Sequence, residues 1–152
     1  MISALGAKVV KKNCAGIDYA KPYAYTGKDK VDIPCNVGSE PIPVPDHTFD
    51  YVYSSHLIED FADTAAIVLE FCRILKSGGN LILVFPDQPA YEKYCIDNEL
   101  NMNQHHVHGN MGLDFMLEVF KTLPHIEYEI LFSSDCEIVY NVVLVAKITK
   151  IS

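Results

Sequence analysis

The densest group of chemically capable side chains lies in "NQHHVHGN" (Asn103–Asn110). His106 and His108, spaced i, i+2, could ligate a metal from one side of an extended segment. No cysteine or carboxylate accompanies them at ligand spacing, so no metal site is expected. Any of His105, His106 and His108 suits the removal of a proton from a hydroxyl or amine, because imidazole titrates near neutrality. Tyr91 and Tyr94 could wall an acceptor pocket beside them, although aromatics at that spacing also serve packing. A second stretch, "SALGAKVVKKNCAGID" (Ser3–Asp18), has the order of a nucleotide-binding unit: a loop glycine, Gly6, then a short apolar run ending in Asp18. Glycine is needed where a chain turns tightly and lets a ligand touch backbone. Gly6 can do that once; Ala7 and Lys8 follow it.

These side chains need elements to hold them. "FDYVYSS" (Phe49–Ser55) is β-rich. In "DTAAIVLEFCRILKSGG" the residues Ile67, Phe71 and Leu75 share one helical stripe with Val68 and Cys72 beside it, the pattern of a helix lying on a sheet. Asp63 is expected as its N-cap and Gly78 as the glycine after its end. "NLILVFPD" reads as a strand buried on both faces. Strand, helix and strand with short joints form a crossover, so the two strands should be parallel.

The flanks extend the same sheet. "CAGID" (Cys14–Asp18) and "KVDI" (Lys30–Ile33) are short apolar runs, each with one acid. The proline-rich "PCNVGSEPIPVPDHT" must be an extended loop. Residues 87–112 read as irregular and are expected to cap an acceptor site. "LDFMLEVFKTL" (Leu113–Leu123) predicts a helix burying Leu113, Met116, Leu117 and Phe120. "IEYEILFSS" and "EIVYNVVLVAKIT" predict an antiparallel hairpin at the sheet edge, turning at Ser134–Asp135. The fold class is α/β: one Rossmann-like, doubly wound domain over 1–152, mostly parallel, with an antiparallel C-terminal hairpin strand.

Composition narrows the function. The 152 residues are 49% apolar, enough for one well-filled core. No stretch approaches the about eighteen unbroken apolar residues of a membrane span, and no secretory leader is evident. The five scattered cysteines suggest a reducing, cytoplasmic setting. With a net charge of −8 and a single arginine, Arg73, the chain lacks the clustered cations that neutralise phosphates, so nucleic acid is not an expected partner.

"PIPVPDHTFDYVYSSHLIEDF" followed by "EFCRILKSGGNLILVFPD" resembles the class I S-adenosylmethionine-dependent methyltransferases, over about Val31 to Asp87. Within that family the chain is most similar to a short subgroup in which the first glycine and the acid ending strand two stand about a dozen residues apart, as Gly6 and Asp18 do. The resemblance implies S-adenosylmethionine as cofactor. It implies that Leu5, Gly6 and Ala7 form the abbreviated loop, that Asp18, followed by Tyr19, accepts from the ribose hydroxyls, and that Asp32, ending strand three, accepts from the adenine amino group with Ile33 on the ring. It places Ser54, Ser55 and His56 under the sulfonium. Glu59 and Asp60 are expected to be solvated or capping residues. His56, His106 and His108 are the candidate catalytic residues.

Only Ala7 to Asn13 separate the first two proposed strands, room for about two helical turns at about 1.5 Å per residue. One reading makes Ile2–Leu5 strand one with its helix nearly lost. Another makes Met1–Lys12 the remnant helix of a longer unit. The expected activity is methyl transfer to a small molecule or glycan-type acceptor, and a homodimer is left open. The alternative is a catalytically silent relative that works by association. A nicotinamide-dependent enzyme is disfavoured, since G-x-G-x-x-G is missing.

Overall fold

The computed structural model describes residues 2–3, 14–18 and 31–151. Among them seven strands form one sheet in the order β3-β2-β1-β4-β5-β7-β6. The strands are β1 (Ile2–Ser3), β2 (Ile17–Asp18), β3 (Ile33–Pro34), β4 (Phe49–Ser55), β5 (Leu75–Pro86), β6 (Ile126–Ile138) and β7 (Asn141–Lys150). The first five are parallel, and β7 runs antiparallel to both β5 and β6. The mostly parallel α/β sheet is therefore as expected, with β7 slotted inside and β6 at the edge. Ile2–Ser3 is strand between β2 and β4, which agrees with the first reading of the N-terminus and not with the helical one.

Helix α1 (Thr64–Ile74) starts where Asp63 Oδ1 accepts from Ala66 N at 3.0 Å. Its buried stripe is Ile67, Val68, Phe71, Cys72 and Ile74. It ends at Ile74, with Leu75 already extended, so Gly78 is not its terminating glycine. Gly78 instead takes a φ of 84° inside the irregular first half of β5. Helix α3 (Leu113–Thr122) buries Met116 and Phe120, with Leu113, Phe115 and Val119 packed beside them; Leu117 stands outside that cluster.

Side chains opposite each other across the ladder share a face. Leu81, Leu83 and Phe85 of β5 pair with Ala146, Leu144 and Val142 of β7, and all six are fully buried. The Phe120 and Tyr128 rings, 5.0 Å apart, place α3 over this same face. The alternate residues Ile82 and Val84 are only half-buried, so β5 is not covered equally on both faces as its unbroken apolar run predicts.

Two further expectations are corrected. Residues 87–112 open with a helix, α2 (Gln88–Asp97), capped where Asp87 Oδ1 accepts from Ala90 N at 2.9 Å. The hairpin turns at Val139–Tyr140 rather than at Ser134–Asp135, because β6 continues to Ile138 through two register shifts.

Candidate active site

In parallel sheets ligands gather at the carboxyl ends of the strands. Here those ends are level. Ser3 pairs with Ser55, Ile2 with Ile17, and Ser55 with Val84, so Asp18, Ser3 and Ser55 lie side by side. Adjacent strands stand about 4.8 Å apart, which puts the Asp18 and Ser55 backbones about 10 Å from one another. That is the span of a nucleoside. Ser54 and Ser55 face opposite sides of the sheet: Ser54 is buried on the Val52 side, and Ser55 is half-buried.

Strand β3 differs from expectation. Asp32 precedes the strand instead of ending it, and its Oδ2 accepts from Gly16 N at 2.9 Å, toward the amino end. Ile33 packs against the core cluster. Pairing continues to Cys35 N, which donates to Asp18 O at 2.9 Å, so the exposed polar residue beyond that end is Asn36. Leu5, Gly6, Ala7 and Tyr19 lie outside the described residues.

Beyond β4 the chain is tightly bound. His56 has a φ of 49°, a left-handed conformation that favours glycine, and its N–H donates to Val84 O at 2.9 Å. A 3₁₀ turn (Ile58–Asp60) follows. Glu59 is not solvated: its side chain is 3% exposed, with Oε1 3.3 Å from His56 Nδ1 and 3.9 Å from His106 Nε2. Burial, followed by the Glu59 charge, raises the pKa of the neighbouring Asp60.

The histidine-rich loop closes over this turn. Val107 N donates to Glu59 O at 3.0 Å. His106 Nδ1 lies 2.8 Å from Gln88 Oε1, and its ring packs on Tyr91 at 4.8 Å. Tyr91 and Tyr94 both pack against Tyr140, which also meets His56 edge-on. Burial raises the phenol pKa of both Tyr91 and Tyr140. His106 and His56 therefore converge on one carboxylate, and His108 does not join them. His108 Nε2 lies 2.8 Å from Phe61 O and 3.0 Å from Thr64 Oγ1, tying the loop to the start of α1. His105 is exposed.

Among the described residues, the buried side-chain oxygens without a hydrogen-bond partner are Ser54 Oγ, Glu59 Oε2, Asp60 Oδ1 and Asn141 Oδ1. Ser54 nearly ends β4, Glu59 and Asp60 follow it, and Asn141 opens β7 opposite Pro86, so all four sit at this edge. Buried polar atoms are normally paired. An edge rich in acceptors, with Asp18 at one side, fits a ligand carrying hydroxyl donors. Among the described residues no group of three or more His, Cys, Asp or Glu is arranged to hold a metal. No described helix is long and apolar enough to cross a membrane.

Sequence reading missed Glu59, Gln88, Asn36 and Tyr140 as parts of this edge. The i, i+3 spacing of His56 and Glu59 was the one local signal available.

The comparisons agree with this architecture. The family described as "Methyltransferase domain" matches residues 1–83. The YcgJ protein of Bacillus subtilis superposes with a TM-score of 0.61 at 13% identity, covering 90% of this chain and 82% of that one. A Thermotoga maritima protein, described as a SAM-dependent methyltransferase and possible histamine N-methyltransferase, gives 0.61 at 17% identity over 87% of this chain and 72% of its own. A Haloferax volcanii methyltransferase complex with the Trm112 activator gives 0.57 at 15% identity, over 87% and 70%. At these identities the structures establish a shared fold. No curated protein matches the chain.

Proposed function

This chain belongs to the family of methyltransferase domains, and from that premise we propose that it moves a methyl group from S-adenosylmethionine to a small-molecule or glycan-type acceptor at the carboxyl edge of its sheet. The observation that carries the reading is the level alignment of Asp18, Ser3 and Ser55 beside Ser54 Oγ and Asn141 Oδ1, which are buried without a hydrogen-bond partner.

When bound, S-adenosylmethionine supplies a methyl group activated by a positively charged sulfur. Asp18 accepts from the ribose hydroxyls; hydrogen bonds to an ionised acceptor are the strong kind. The family resemblance assigns Leu5, Gly6, Ala7 and Tyr19 to the cofactor as well. Asn36, rather than Asp32, would border the adenine at the carboxyl end of β3. Ser54, Ser55 and His56 border the sulfonium. Tyr91, Tyr94 and Tyr140 wall the acceptor side. Holding donor and acceptor in line supplies a large share of the acceleration in such a displacement. His56 takes the acceptor's proton, His106 supports it through Glu59, and His108 holds the loop in place.

Calorimetric titration with S-adenosylmethionine and S-adenosylhomocysteine, on the wild type and Asp18→Ala, tests the reading. Micromolar binding that weakens at least tenfold in the variant is expected. Absence of binding by the folded wild type would overturn it and favour a silent relative acting by association.

A further inference from the structure

Resting on that reading, the geometry around Glu59 points to a function for this residue: we propose that Glu59 is the positioning residue that fixes which ring nitrogen of His56 is the base. Two contacts build the arrangement. The His56 backbone is held in its left-handed conformation by Val84 O, and its Nδ1 faces Glu59 Oε1 at 3.3 Å. A carboxylate oxygen 3.3 Å away attracts a proton and repels a lone pair, so this contact favours the proton on Nδ1 and leaves the lone pair on Nε2. The His56 side chain is 29% exposed, so an acceptor can reach it.

His106 approaches from the other side. Gln88 Nε2 donates to Glu92 Oε1 at 3.0 Å, which orients the amide so that Gln88 Oε1 accepts from His106 Nδ1. His106 Nε2 is thereby turned to Glu59 Oε1. An uncompensated buried carboxylate costs several kcal/mol. Among the described residues, His56 Nδ1 is the group that can bring a proton to Glu59 Oε1, and Glu59 Oε2 has no hydrogen-bond partner.

The carboxylate is thus placed to steady a positive charge on His56. With S-adenosylmethionine bound, its methyl group would pass from sulfur, which would keep the carbon–sulfur electron pair, to the acceptor, and His56 Nε2 would take the acceptor's proton. Imidazolium at His56 and carboxylate at Glu59 then form an ion pair until the proton leaves to solvent. The titratable groups facing this pair are Asp60 from the 3₁₀ turn, His105 and His106 from the loop, Tyr91 from α2, and Tyr140 from the hairpin turn.

Long-range proton–nitrogen NMR on the wild type, Glu59→Gln and Glu59→Leu tests the assignment without requiring turnover. The wild type should show His56 protonated at Nδ1, and Glu59→Leu should lose that preference. Glu59→Gln, whose amide oxygen can still accept from Nδ1, should keep the wild-type tautomer. S-adenosylhomocysteine affinity should stay within about twofold in both folded variants. Protonation at Nε2 in the wild type, or an unchanged tautomer in Glu59→Leu, would overturn the assignment. So would an affinity lost in both variants, which would make Glu59 part of the cofactor's grip instead. A wild type that shows the expected tautomer but binds no cofactor would overturn the methyl-transfer reading and the role of Glu59 in it, leaving the carboxylate–imidazole contact intact.

Discussion

Arg73 grips Glu70 with two hydrogen bonds, Nε to Oε2 and Nη2 to Oε1, each 2.8 Å long. Its other three N–H groups reach Asp46 Oδ1, Val44 O and Ile42 O. The only arginine in the chain therefore spends all five donors on fastening the proline-rich loop to α1. Arg73→Lys keeps the charge and loses the fork. Chemical denaturation should show a loss of about 2 kcal/mol, the scale of hydrogen bonds to charged groups. A loss below about 0.5 kcal/mol, as for an ordinary surface change, would contradict the fastening role.

The same clamp makes stability depend on pH. Hydrogen bonding to Arg73 lowers the pKa of both Glu70 and Asp46 in the folded chain. A carboxylate lowered by folding contributes stability that is complete above its unfolded value, about 4. That contribution is lost as pH falls through the folded value. Unfolding midpoints followed downward from pH 6 should therefore drop in acid, and Arg73→Leu should flatten the drop. An equally steep drop in the variant would place the acid sensitivity elsewhere.

Gly38 has a φ of 86°, and a Cβ there would fall 2.4 Å from Phe61 Cε1. Gly38→Ala therefore meets both a disfavoured backbone and a ring packed against the core, and should cost about 1–3 kcal/mol. Relieving the contact with Phe61→Leu should recover part of that loss, leaving the backbone component. Full recovery would show that the ring contact alone matters at Gly38.

Cys72 lies fully buried on the inner face of α1, and burial pushes its thiol pKa up to about 12. The thiolate is the nucleophile, so Cys72 should resist alkylation at pH 8 in the native protein and react once the chain is unfolded. Mass spectrometry after iodoacetamide treatment checks this. Rapid labelling of native Cys72 would mean that α1 opens locally.

Much of the central fold was legible because its signals are local. Asp63 and the stripe through Ile67 and Phe71 announce α1, and the apolar run through Leu81 and Leu83 announces β5. Helix α2 was not legible: it buries only Gln88, Tyr91 and Cys95, too thin a pattern to stand out from a polar background. The turn was misplaced because Ser134–Asp135 has turn chemistry, whereas Val139 takes a φ of 64° that a β-branched residue resists. Glu59 looked solvated because its burial comes from a distant segment, through the bond from Val107 N to its carbonyl and the packing of His106. Asp32 and Asn36 could not be sorted without the register of β2 against β3.

The proposed cofactor edge is built from the ends of β1, β2 and β4. Amide chemical shifts followed during titration with S-adenosylhomocysteine test it most directly. Saturable shifts are expected at Asp18, Asn36, Ser55 and His56, with His47 and His125 outside the affected set. Saturable shifts confined to those two histidines, or none anywhere in the folded chain, would contradict it.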